Sequence, residues 1–447
     1  MAPPLVRADD DRPVIVVGGG PSGLAAAYTL QQADRAVKVL ERNDYVGGKI
    51  RTVRRDGYML DLGATVVCGA YDEVLGLCRS SGADAGLQPG GSIVGFARDS
   101  QIHYVDSAHM IRDALKSKML STRAKLTMVK LAIDNLRISR HLSYEDLSLA
   151  AKFDTESCLE YCDRRLNREL FDFIVDASMR GLLGVRGDQT SKLEFFFQWN
   201  KVVGKPFMSF EEGMSTYANA LARDVKVELG AEVLEVEDRG EEVLVTWRDQ
   251  GGTTHTEHAS AAVMAVAANV TAALVPQLPE EPRNFLANVR YSAMSVTHVA
   301  LSAPPPNAPA FIVQVPRTEH HGLFGIAFEH NKAPGSVPPG RGLVTLYSDS
   351  EWSQELAHKS DAETAEEFIA AAEQVMPGVC ADPVFTHVTR WPSVAVYSRP
   401  GHYKDLGRFR ASTPPGRVRL AGDYHASSNV NSATAAGQRA ARELLGI

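Results

Sequence analysis

PVIVVGGGPSGLAAAYTLQQADRAVKVLE, residues 13–41, contains the pattern that decides the fold of this 447-residue chain. The run at 13–17 is rich in β-branched residues and has the length of a buried parallel strand. A glycine-rich loop follows at once, then a stretch of good helix formers, and residues 36–41 have the pattern of a second strand. Strand, loop, helix and strand within about 30 residues are typical of dinucleotide-binding sheets. The stretch therefore predicts an α/β fold with a parallel sheet.

Three glycines in this loop are spaced as G-x-G-x-x-G, at Gly18, Gly20 and Gly23. The first permits a tight turn, the second lets backbone amides approach a pyrophosphate, and the third lets the helix pack close to the strand. The helix N-terminus presents unpaired N–H groups and the positive end of its dipole to an anion. Glu41 ends the next strand, where a carboxylate accepts hydrogen bonds from an adenosine ribose and disfavours a 2′-phosphate. The loop predicts a dinucleotide site that does not take NADP.

The composition of the chain is that of an ordinary globular protein. Hydrophobic residues make up 44% and charged residues 23%, which excludes collagen-like, disordered and coiled-coil classes. The length suggests about two to three domains. With 47 basic against 54 acidic residues the net charge is −7, so the chain as a whole does not attract nucleic acid. We predict no nucleic-acid partner.

The cysteines, histidines and apolar runs of the sequence indicate whether the protein binds metal and in which compartment it lies. The 5 cysteines include no C-x-x-C pair and form neither a disulfide framework nor a zinc set. His320, His321 and His330 show no metal-ligand pattern, so we predict no metal. The longest apolar run, 261–275, is shorter than the roughly 18 residues of a membrane span. Residues 1–12 have no signal-peptide core and are predicted to be a disordered lead, so we expect a cytoplasmic protein without an integral membrane segment.

Regions with strand patterns and regions with helical patterns alternate along the rest of the chain. Strand patterns at 225–229, 231–237 and 242–249 alternate with period two, which predicts antiparallel pairs, whereas the apolar run 259–267 predicts a buried parallel strand. Mostly helical patterns occupy the region before them. We predict two interleaved domains: a nucleotide-binding domain of residues 13–84, 206–282 and 408–447, and a substrate domain of mixed sheet plus helices of residues 85–205 and 283–407.

Further segments, spread over nearly the whole chain, carry a resemblance to a known family. They are RNDYVGGKIRT (42–52), YMLDLGATVV (58–67), FMSFEEGMSTYANALA (207–222), VELGAEVLEVE (227–237), RLAGDY (419–424) and SSNVNSATAAGQRAA (427–441). In these segments the chain resembles the flavin-containing amine oxidase and protoporphyrinogen oxidase superfamily. The resemblance implies a Rossmann-like FAD-binding domain interleaved with the substrate domain. No Cys or His lies in a recognisable flavinylation motif, so we expect FAD to be held non-covalently.

The resemblance also assigns residues to the cofactor. A Gly-Gly-Arg stretch that contacts the FAD phosphates in the family corresponds to Gly47, Gly48 and Lys49, so the charge is kept but the bidentate fork of arginine is lost. The turn beside the isoalloxazine corresponds to 63–65, and the backbone that meets the adenine to Val233. The FAD contacts implied in this chain are Gly18, Gly20, Pro21, Ser22, Gly23, Glu41, Arg42, Gly47, Gly48, Lys49, Gly63, Ala64, Thr65, Val233, Gly422, Asp423 and Val430.

Four catalytic candidates follow from the same resemblance. Many amine oxidases carry a lysine near flavin N5, and Thr297 occupies that place here, with His298 beside it. Trp391 and Tyr397 belong to an RWP…Y…GH pattern that resembles the protoporphyrinogen-oxidase-like branch. Amine oxidases of this family frame the amine between two aromatic residues. Tyr397 is the candidate for the first, but the second place falls at Asn429, so the aromatic pair is incomplete.

Structural alternatives stand beside these candidates. His298 on an apolar strand also fits a core histidine, and Trp391 also fits core packing. Arg180 among apolar residues could serve a substrate carboxylate or a structural ion pair, and we favour the ion pair. The basic segment 112–140 could contact a membrane surface, although a solvated helix face is the interpretation we favour.

The sequence thus predicts an FAD-dependent oxidoreductase that takes a hydride from a C–N or C–C bond of a small hydrophobic substrate to flavin N5, with O2 as acceptor. No second G-x-G-x-x-G follows a strand downstream, which disfavours a nicotinamide-dependent reductase. Two alternatives stay open: a true amine oxidase that gives imine and hydrogen peroxide, and a non-catalytic flavin-binding assembly protein. The partners expected are a small-molecule substrate and O2 or another electron acceptor, and a homo-oligomer stays open.

Overall fold

A computed structural model describes residues 5–6, 10–109, 112–113, 116–333 and 335–447. Its helices, in chain order, are α1 (Pro21–Gln31), α2 (Asp72–Ser81), α3 (Thr122–Ser139), α4 (Cys158–Arg165), α5 (Arg168–Leu170), α6 (Asp176–Leu183), α7 (Lys192–Lys201), α8 (Ser215–Ala222), α9 (Ala268–Leu274), α10 (Glu280–Ala287), α11 (Glu329–Lys332), α12 (Ser350–Glu355), α13 (Asp361–Val375), α14 (His402–Ser412) and α15 (Val430–Leu445). Short 3-10 turns lie at Ala83–Gly86, Ser107–His109, Leu147–Phe153, Gly187–Gln189, Leu356–His358 and Asp423–His425, and a π-helical turn lies at Phe171–Val175.

The strands, in chain order, are β1 (Val14–Val17), β2 (Val37–Glu41), β3 (Thr52–Arg55), β4 (Tyr58–Asp61), β5 (Val67–Cys68), β6 (Leu87–Pro89), β7 (Ile93–Arg98), β8 (Gln101–Asp106), β9 (Phe207–Phe210), β10 (Lys226–Leu229), β11 (Glu232–Asp238), β12 (Val243–Arg248), β13 (Thr254–Ala259), β14 (Ala261–Met264), β15 (Arg290–Tyr291), β16 (Met294–Leu301), β17 (Ile312–Gln314), β18 (Leu323–Phe328), β19 (Gly342–Ser348), β20 (Pro383–Trp391), β21 (Val396–Tyr397) and β22 (Val418–Leu420).

A five-stranded parallel sheet, in the order β10-β2-β1-β14-β22, forms the nucleotide-binding part of the fold. Val14 lies opposite Val37 on one side and Ala261 on the other. Every residue of β1 and β14 is buried, as expected for central strands of a parallel sheet that is covered on both faces. The parallel strand predicted within 259–267 is therefore confirmed.

The strand predicted at 225–229 pairs differently from the expectation. As β10 it runs parallel to β2 at the edge of the large sheet, so its predicted antiparallel pairing is wrong. Gly230 follows it with a φ of +68°, and this turn sends the chain into a separate sheet. There β11 and β12 do pair antiparallel, as predicted, with β13 as the third strand.

Helices α1 and α15 pack together on one face of the parallel sheet. A Cβ on Gly437 of α15 would lie 2.0 Å from the carbonyl oxygen of Ser22, so the absence of a side chain allows this close approach. Alanines of both helices join valines of β1 and β2 in one buried cluster. The packing fixes where the N-termini of both helices lie relative to the sheet.

A seven-stranded mixed sheet, in the order β20-β16-β19-β18-β17-β7-β8, forms the second half of the fold. Leucines and valines on one face of this sheet pack against Phe368 of α13 and Trp352 of α12. The opposite face presents Val296, Phe324 and Tyr347, which form a separate cluster. Because side chains alternate between the faces of a strand, the position of each residue along β16 decides which cluster it joins.

The helices between 122 and 201 contribute to a large core cluster that also contains Ile15 and Val17 of β1, and α6 contacts β18 of the second sheet. Helix α3 begins at an N-cap, Ser121, whose side chain accepts a hydrogen bond from the Ala124 N–H. Its buried residues are Ala124, Leu131 and Ile138, whereas the apolar residues that recur at helical spacing in the sequence, Leu126, Val129, Ile133 and Leu136, are exposed. The prominent apolar stripe of this helix therefore faces outward.

The N-terminal segment differs in part from the predicted lead. Val6 is buried against the last helix, and the N–H groups of Leu5 and Val6 both donate to the carbonyl oxygen of Leu444. The prediction of disorder thus does not hold for these two residues, and positions 1–4 and 7–9 lie outside the described residues. Within the described ranges, no helix combines the length and apolar character that crossing a bilayer requires. The predicted domain boundaries stay predictions.

Candidate active site

A cavity of about 1100 Å3 is lined by residues of both large sheets and of the helices beside them. The residues that line it come from segments far apart in the sequence. The predicted cofactor residues that line it are Gly18, Gly20, Pro21, Ser22, Glu41, Arg42, Gly48, Lys49, Gly63, Ala64, Thr65, Val233, Gly422, Asp423 and Val430. Gly23 and Gly47 lie behind this wall and shape the backbone that forms it.

Two glycines set the shape of the loop after β1. A Cβ on Gly23 would lie 1.9 Å from the carbonyl oxygen of Gly18, so glycine is required for α1 to begin this close to the strand. Gly47 has a φ of +103°, and its N–H donates to the carbonyl oxygen of Gly19 at 2.7 Å. This hydrogen bond fixes the second glycine pair, at 47–48, against the first loop.

A groove without side chains runs between these two glycine segments. No neighbouring atom lies within 4 Å of the position of a Cβ on Gly20, and a Cβ on Gly48 would meet only the Cα of Gly20, at 3.5 Å. The buried hydroxyl of Ser22 has no hydrogen-bond partner among the described residues. Open space, an unpartnered hydroxyl and the N-terminus of α1 together fit the pyrophosphate of a dinucleotide such as FAD.

Glu41 is held rigidly at the wall of the cavity. Its Oε2 accepts a hydrogen bond from the N–H of Gly19 at 2.7 Å, and its Oε1 accepts from the N–H of Asn43 at 2.8 Å. The side chain is buried at the end of β2, next to the glycine loop. A carboxylate in this place is suited to accept hydrogen bonds from ribose hydroxyls.

The last helix begins at the wall of the cavity. Asn429 caps it, because its Oδ1 accepts from the N–H of Ser432 at 2.7 Å, and Val430 forms the first turn against the cavity. Gly422 precedes it with a φ of +145°, a backbone conformation that favours glycine. The positive end of the α15 dipole is thereby aimed at the cavity.

The turn at Gly63 and the lysine at position 49 are interlocked. A Cβ on Gly63 would lie 2.1 Å from the carbonyl oxygen of Lys49, which also accepts the N–H of Ala64 at 3.0 Å. The ammonium of Lys49 donates to the carbonyl oxygen of Val394 at 2.7 Å. Burial lowers the pKa of Lys49, and the charge of Asp423 opposes that effect. Lys49 thus ties the glycine-rich segment to the 391–395 strap that closes one side of the cavity.

Sequence reasoning missed Lys332, a buried lysine in the cavity wall. Its Nζ lies 3.4 Å from Asp61 Oδ2 and forms an ion pair with Glu329, while Glu329 accepts from the Thr345 hydroxyl at 2.8 Å. Burial acts to lower the pKa of Lys332, but the two carboxylates prevail and raise it. Burial raises the pKa of Asp61, whereas Lys332 outweighs burial at Glu329 and lowers the pKa of that carboxyl. The raised pKa favours a charged ammonium in the cavity wall at neutral pH.

A signal for this cluster exists in the sequence, but it is weak. Glu329 and Lys332 are three residues apart, which is a common spacing for exposed helix pairs. Nothing in that spacing indicates that the short helix is buried, because its burial comes from β19 and β4, which lie elsewhere in the chain. The partner Asp61 is supplied by the strand that precedes the Gly63 turn.

Thr297 and His298, which the resemblance places near the flavin, are not among the residues that line the cavity. Strand alternation is the reason: Met294 and Val296 face the cavity side, so Thr297 faces the opposite side, toward α13. His298 shares the face of Met294 but lies farther along the strand, opposite Thr345, and burial lowers its pKa to about 4. It is a neutral core histidine at neutral pH.

Of the two aromatic candidates, only Trp391 lines the cavity. Its indole N–H donates to the carbonyl oxygen of Leu62 at 2.7 Å, next to the Gly63 turn. Tyr397 instead packs against the helical core, because the strap has by then entered β21 and turned away. Tyr291 of the neighbouring strand lines the cavity in its stead, and its hydroxyl accepts the N–H of Ala268 at 2.8 Å.

The part of the cavity beyond Trp391 is an apolar chamber. Its walls include Phe96, Val105, Met119, Leu120, Met128, Ile174, Trp199, Phe207, Phe311, Ile312 and Phe324. Gln314 is a polar exception, since its Oε1 is buried and accepts no hydrogen bond among the described residues. Such a chamber suits a hydrophobic molecule that carries one hydrogen-bond donor.

Arg180 has the structural role that we favour for it. The side chain is fully buried, its Nε donates to Asp349 at 3.0 Å, and one NH group donates to the carbonyl oxygen of Val315 at 3.0 Å. Its remaining NH group donates to backbone carbonyls between 320 and 323.

In the part of the chain that the structure describes, no group of three or more His, Cys, Asp or Glu residues could hold a metal ion.

Glu194 gives a pH-dependent prediction that is independent of the cavity. Burial raises the pKa of this carboxyl from 4.5 to about 7, and the hydroxyl of Tyr403 donates to it at 2.6 Å. The native state therefore binds a proton that the unfolded chain lacks between these pH values, so stability falls as the pH rises through this window. In Glu194→Gln we expect this loss, on the order of 3 kcal/mol, to disappear. Thermal unfolding of both proteins between pH 5 and pH 8 measures the difference, and parallel curves would contradict it.

The parallel sheet, the glycine loop and the cavity together define a dinucleotide-binding protein. A sequence model of the family described as "Flavin containing amine oxidoreductase" matches residues 21–445, so this chain belongs to that family. Its cofactor is accordingly a flavin, and the predicted class of fold and class of enzyme are confirmed.

Individual relatives include two porphyrinogen oxidases, and a solved amine oxidase has a similar fold. A mitochondrial protoporphyrinogen oxidase of Nicotiana tabacum is 25% identical over 85% of this chain and 83% of its own. A coproporphyrinogen III oxidase of Bacillus subtilis is 21% identical over 92% of this chain and 93% of its own. The solved structure of a wild-type putrescine oxidase bound to putrescine is similar in fold, with a TM-score of 0.77, 19% identity, and 98% of this chain and 99% of that chain covered.

Proposed function

We propose that this protein binds FAD non-covalently and oxidises a small, hydrophobic substrate by hydride transfer from a C–N or C–C bond. The observation that carries the proposal is one continuous cavity, lined by the glycine groove and Glu41 and also by the residues of the apolar chamber. FAD, once bound, supplies the hydride acceptor. The residues of the chain hold the cofactor, exclude water with the apolar walls and orient the substrate.

The roles of individual residues follow from their places in the wall. The groove at Gly20 and Gly48 and the N-terminus of α1 are suited to the pyrophosphate, and Glu41 to the adenosine ribose. The start of α15 at Val430 and the ammonium of Lys332 both bring positive potential to the cavity. That potential stabilises negative charge that develops during reduction.

The protoporphyrinogen oxidase and coproporphyrinogen oxidase relatives make porphyrinogens the first substrates to test, and the putrescine oxidase fold makes amines the second. Lys332 by itself does not favour an amine oxidase activity, because it lies in α11 and not in the strand where many amine oxidases carry their lysine. We infer O2 as the acceptor and, from five cysteines that are all free and buried, a reducing compartment such as the cytoplasm.

Anaerobic bleaching of the flavin tests the proposal directly. The purified protein is expected to be yellow, to release FAD on denaturation and to lose visible absorbance when its substrate is added without oxygen. Porphyrinogens, primary amines and polyamines form the first panel, and readmission of air with detection of hydrogen peroxide tests O2. Colourless protein that does not take up FAD would overturn the proposal. A flavin that no candidate reduces, at full occupancy, would favour a non-catalytic binding protein.

Gln314 gives a prediction about substrate binding. Gln314→Leu removes the unpartnered amide from the apolar chamber without touching the glycine groove. A site that loses its hydrogen-bonding group discriminates less well, so we expect KM for a substrate with a polar group to rise about tenfold or more, with FAD content unchanged. Gln354→Leu, at an exposed amide of α12, is the matched control. A KM that stays the same or falls would remove Gln314 from the substrate contacts.

A further inference from the structure

Helix α3 carries an apolar stripe on its outer surface. Leu126, Val129, Ile133 and Leu136 are 70%, 60%, 41% and 74% exposed. Their spacing of three and four residues places them on one side of the helix, where they form a continuous strip. An exposed strip of this kind marks an interaction surface far more often than scattered single residues do.

This strip is a second apolar face, distinct from the one that attaches the helix to the protein. The inner face already buries Ala124, Leu131 and Ile138. Its residues are smaller in total than the four on the outer strip, so the helix directs most of its large apolar side chains away from the core. The fold alone does not account for them.

Basic residues border the strip. Arg123, Lys130 and Arg137 are exposed and recur every seven residues, so they form a row beside the apolar side chains. Arg140 continues the positive charge just after the helix. The segment 112–140 contains eight Lys and Arg against two Asp, a net charge of +6 in a chain whose total is −7. Five of these basic residues lie within 122–140, against one acid, Asp134, which pairs with Arg137 and Arg165.

We propose that α3 docks this protein on the surface of an anionic lipid bilayer, with the apolar strip in the acyl–headgroup boundary. A helix with one apolar side and long cationic side chains along its border lies in the plane of such an interface. Arginine and lysine stems cover apolar surface while their charged ends stay among the headgroups. Anionic headgroups complement the +6 segment, and each basic residue near them adds to the attraction.

A second copy of this chain is a poorer occupant of the same surface. In a two-fold dimer through α3, the row of basic residues would face its own symmetry copy, with Lys130 near Lys130. Like charges so placed oppose association, whereas anionic lipid neutralises all of them. Charge complementarity therefore selects the bilayer.

The position of α3 relates the docked surface to the cavity. Met128 of α3, and Met119 and Leu120 just before it, line the apolar chamber. The helix accordingly lies between the chamber and the outer strip. Docking itself does not depend on what the chamber binds, so its test is separate from the test of the proposed function.

Vesicle binding by the purified holoprotein tests the proposal. We expect it to sediment with vesicles of equal parts phosphatidylcholine and phosphatidylglycerol, and to bind pure phosphatidylcholine vesicles on the order of a hundredfold more weakly. Substitution of Leu126, Val129, Ile133 and Leu136 by serine removes the apolar contribution, and substitution of Arg123, Lys130 and Arg137 by glutamine removes the electrostatic one. Each variant should lower the partition coefficient at least about tenfold with flavin content unchanged, and only the second should abolish the salt dependence.

Matched controls are available on other exposed elements. Val384→Ser changes an exposed apolar residue of β20, and the pair Lys226→Gln with Lys404→Gln removes exposed positive charge elsewhere; all should bind vesicles like the unmodified protein. An unmodified protein that does not bind phosphatidylglycerol vesicles would overturn the proposal. A second result would also overturn it. The unmodified protein would bind no vesicles and run as a dimer in size-exclusion chromatography, and the serine variant alone would run as a monomer. The strip would then be an interface between copies.

Discussion

Lys332→Met is expected to destabilise the protein by about 3–5 kcal/mol, the cost typical of removing one partner from a buried ion pair. The lysine is 3% exposed, and its loss leaves the carboxylates of Asp61 and Glu329 buried without a cation. Asp61 also holds the Thr52 hydroxyl and the N–H of Met214, so the disturbance reaches the segment that follows β9. Chemical denaturation with the cofactor at saturation measures the change in unfolding free energy.

A double substitution separates charge from packing in this cluster. Glu329→Gln keeps an acceptor for the Thr345 hydroxyl but removes one negative charge, so the pair Lys332→Met with Glu329→Gln should recover a large part of the loss. Lys359→Met, in the exposed pair with Glu367, should cost less than about 1 kcal/mol. Destabilisation by Lys332→Met should also be smaller at acid pH, because a buried carboxyl whose pKa is raised folds more favourably when protonated. Equal effects of Lys332→Met and Lys359→Met would contradict the assignment.

The parts of the fold that the sequence predicted well are those in which local pattern and tertiary position agree. In β1 and α1 the glycine spacing, the β-branched run and Glu41 all follow from contacts within one unit. The glycine positions around the cavity were predictable for the same reason, since each of them is a requirement of the backbone. Gly23 and Gly63, for example, have neighbouring carbonyl oxygens where a side chain would lie.

The catalytic candidates were less predictable, because their positions depend on strand phase and on distant partners. A shift of one residue along β16 separates Thr297 from the cavity face, and the turn into β21 removes Tyr397 although Trp391 stays. Lys332 was missed because its burial and its partner Asp61 come from elsewhere in the chain. The direction of the apolar stripe on α3 was not predictable either, because helical spacing indicates that apolar residues share a side but not which way that side points.

Glu41→Ala is expected to weaken FAD binding about ten- to a hundredfold, the equivalent of roughly 1.5–3 kcal/mol for charge-assisted hydrogen bonds. The carboxylate is buried at the cavity wall and is already fixed by the N–H groups of Gly19 and Asn43, so it is positioned before the ribose arrives. Preorganisation of this kind means that the substitution loses the ribose contacts and also frees the glycine loop. Apoprotein of Glu41→Ala and of the unmodified protein is titrated with FAD. Flavin fluorescence and the rise in melting temperature then give the dissociation constant of each protein for FAD.

Two further variants decide whether the effect comes from the ribose contact. Glu41→Gln keeps an acceptor for the N–H of Gly19 but is neutral, so its FAD affinity should fall between those of Glu41→Ala and the unmodified protein. Glu228→Ala removes a partly exposed acid from the neighbouring strand β10, outside the residues that line the cavity, and should leave FAD binding unchanged. If Glu41→Ala retained FAD as tightly as Glu228→Ala, the ribose would have to lie elsewhere in the cavity. Since the groove at Gly20 and Gly48 adjoins Glu41, that result would also displace the pyrophosphate from the helix N-terminus.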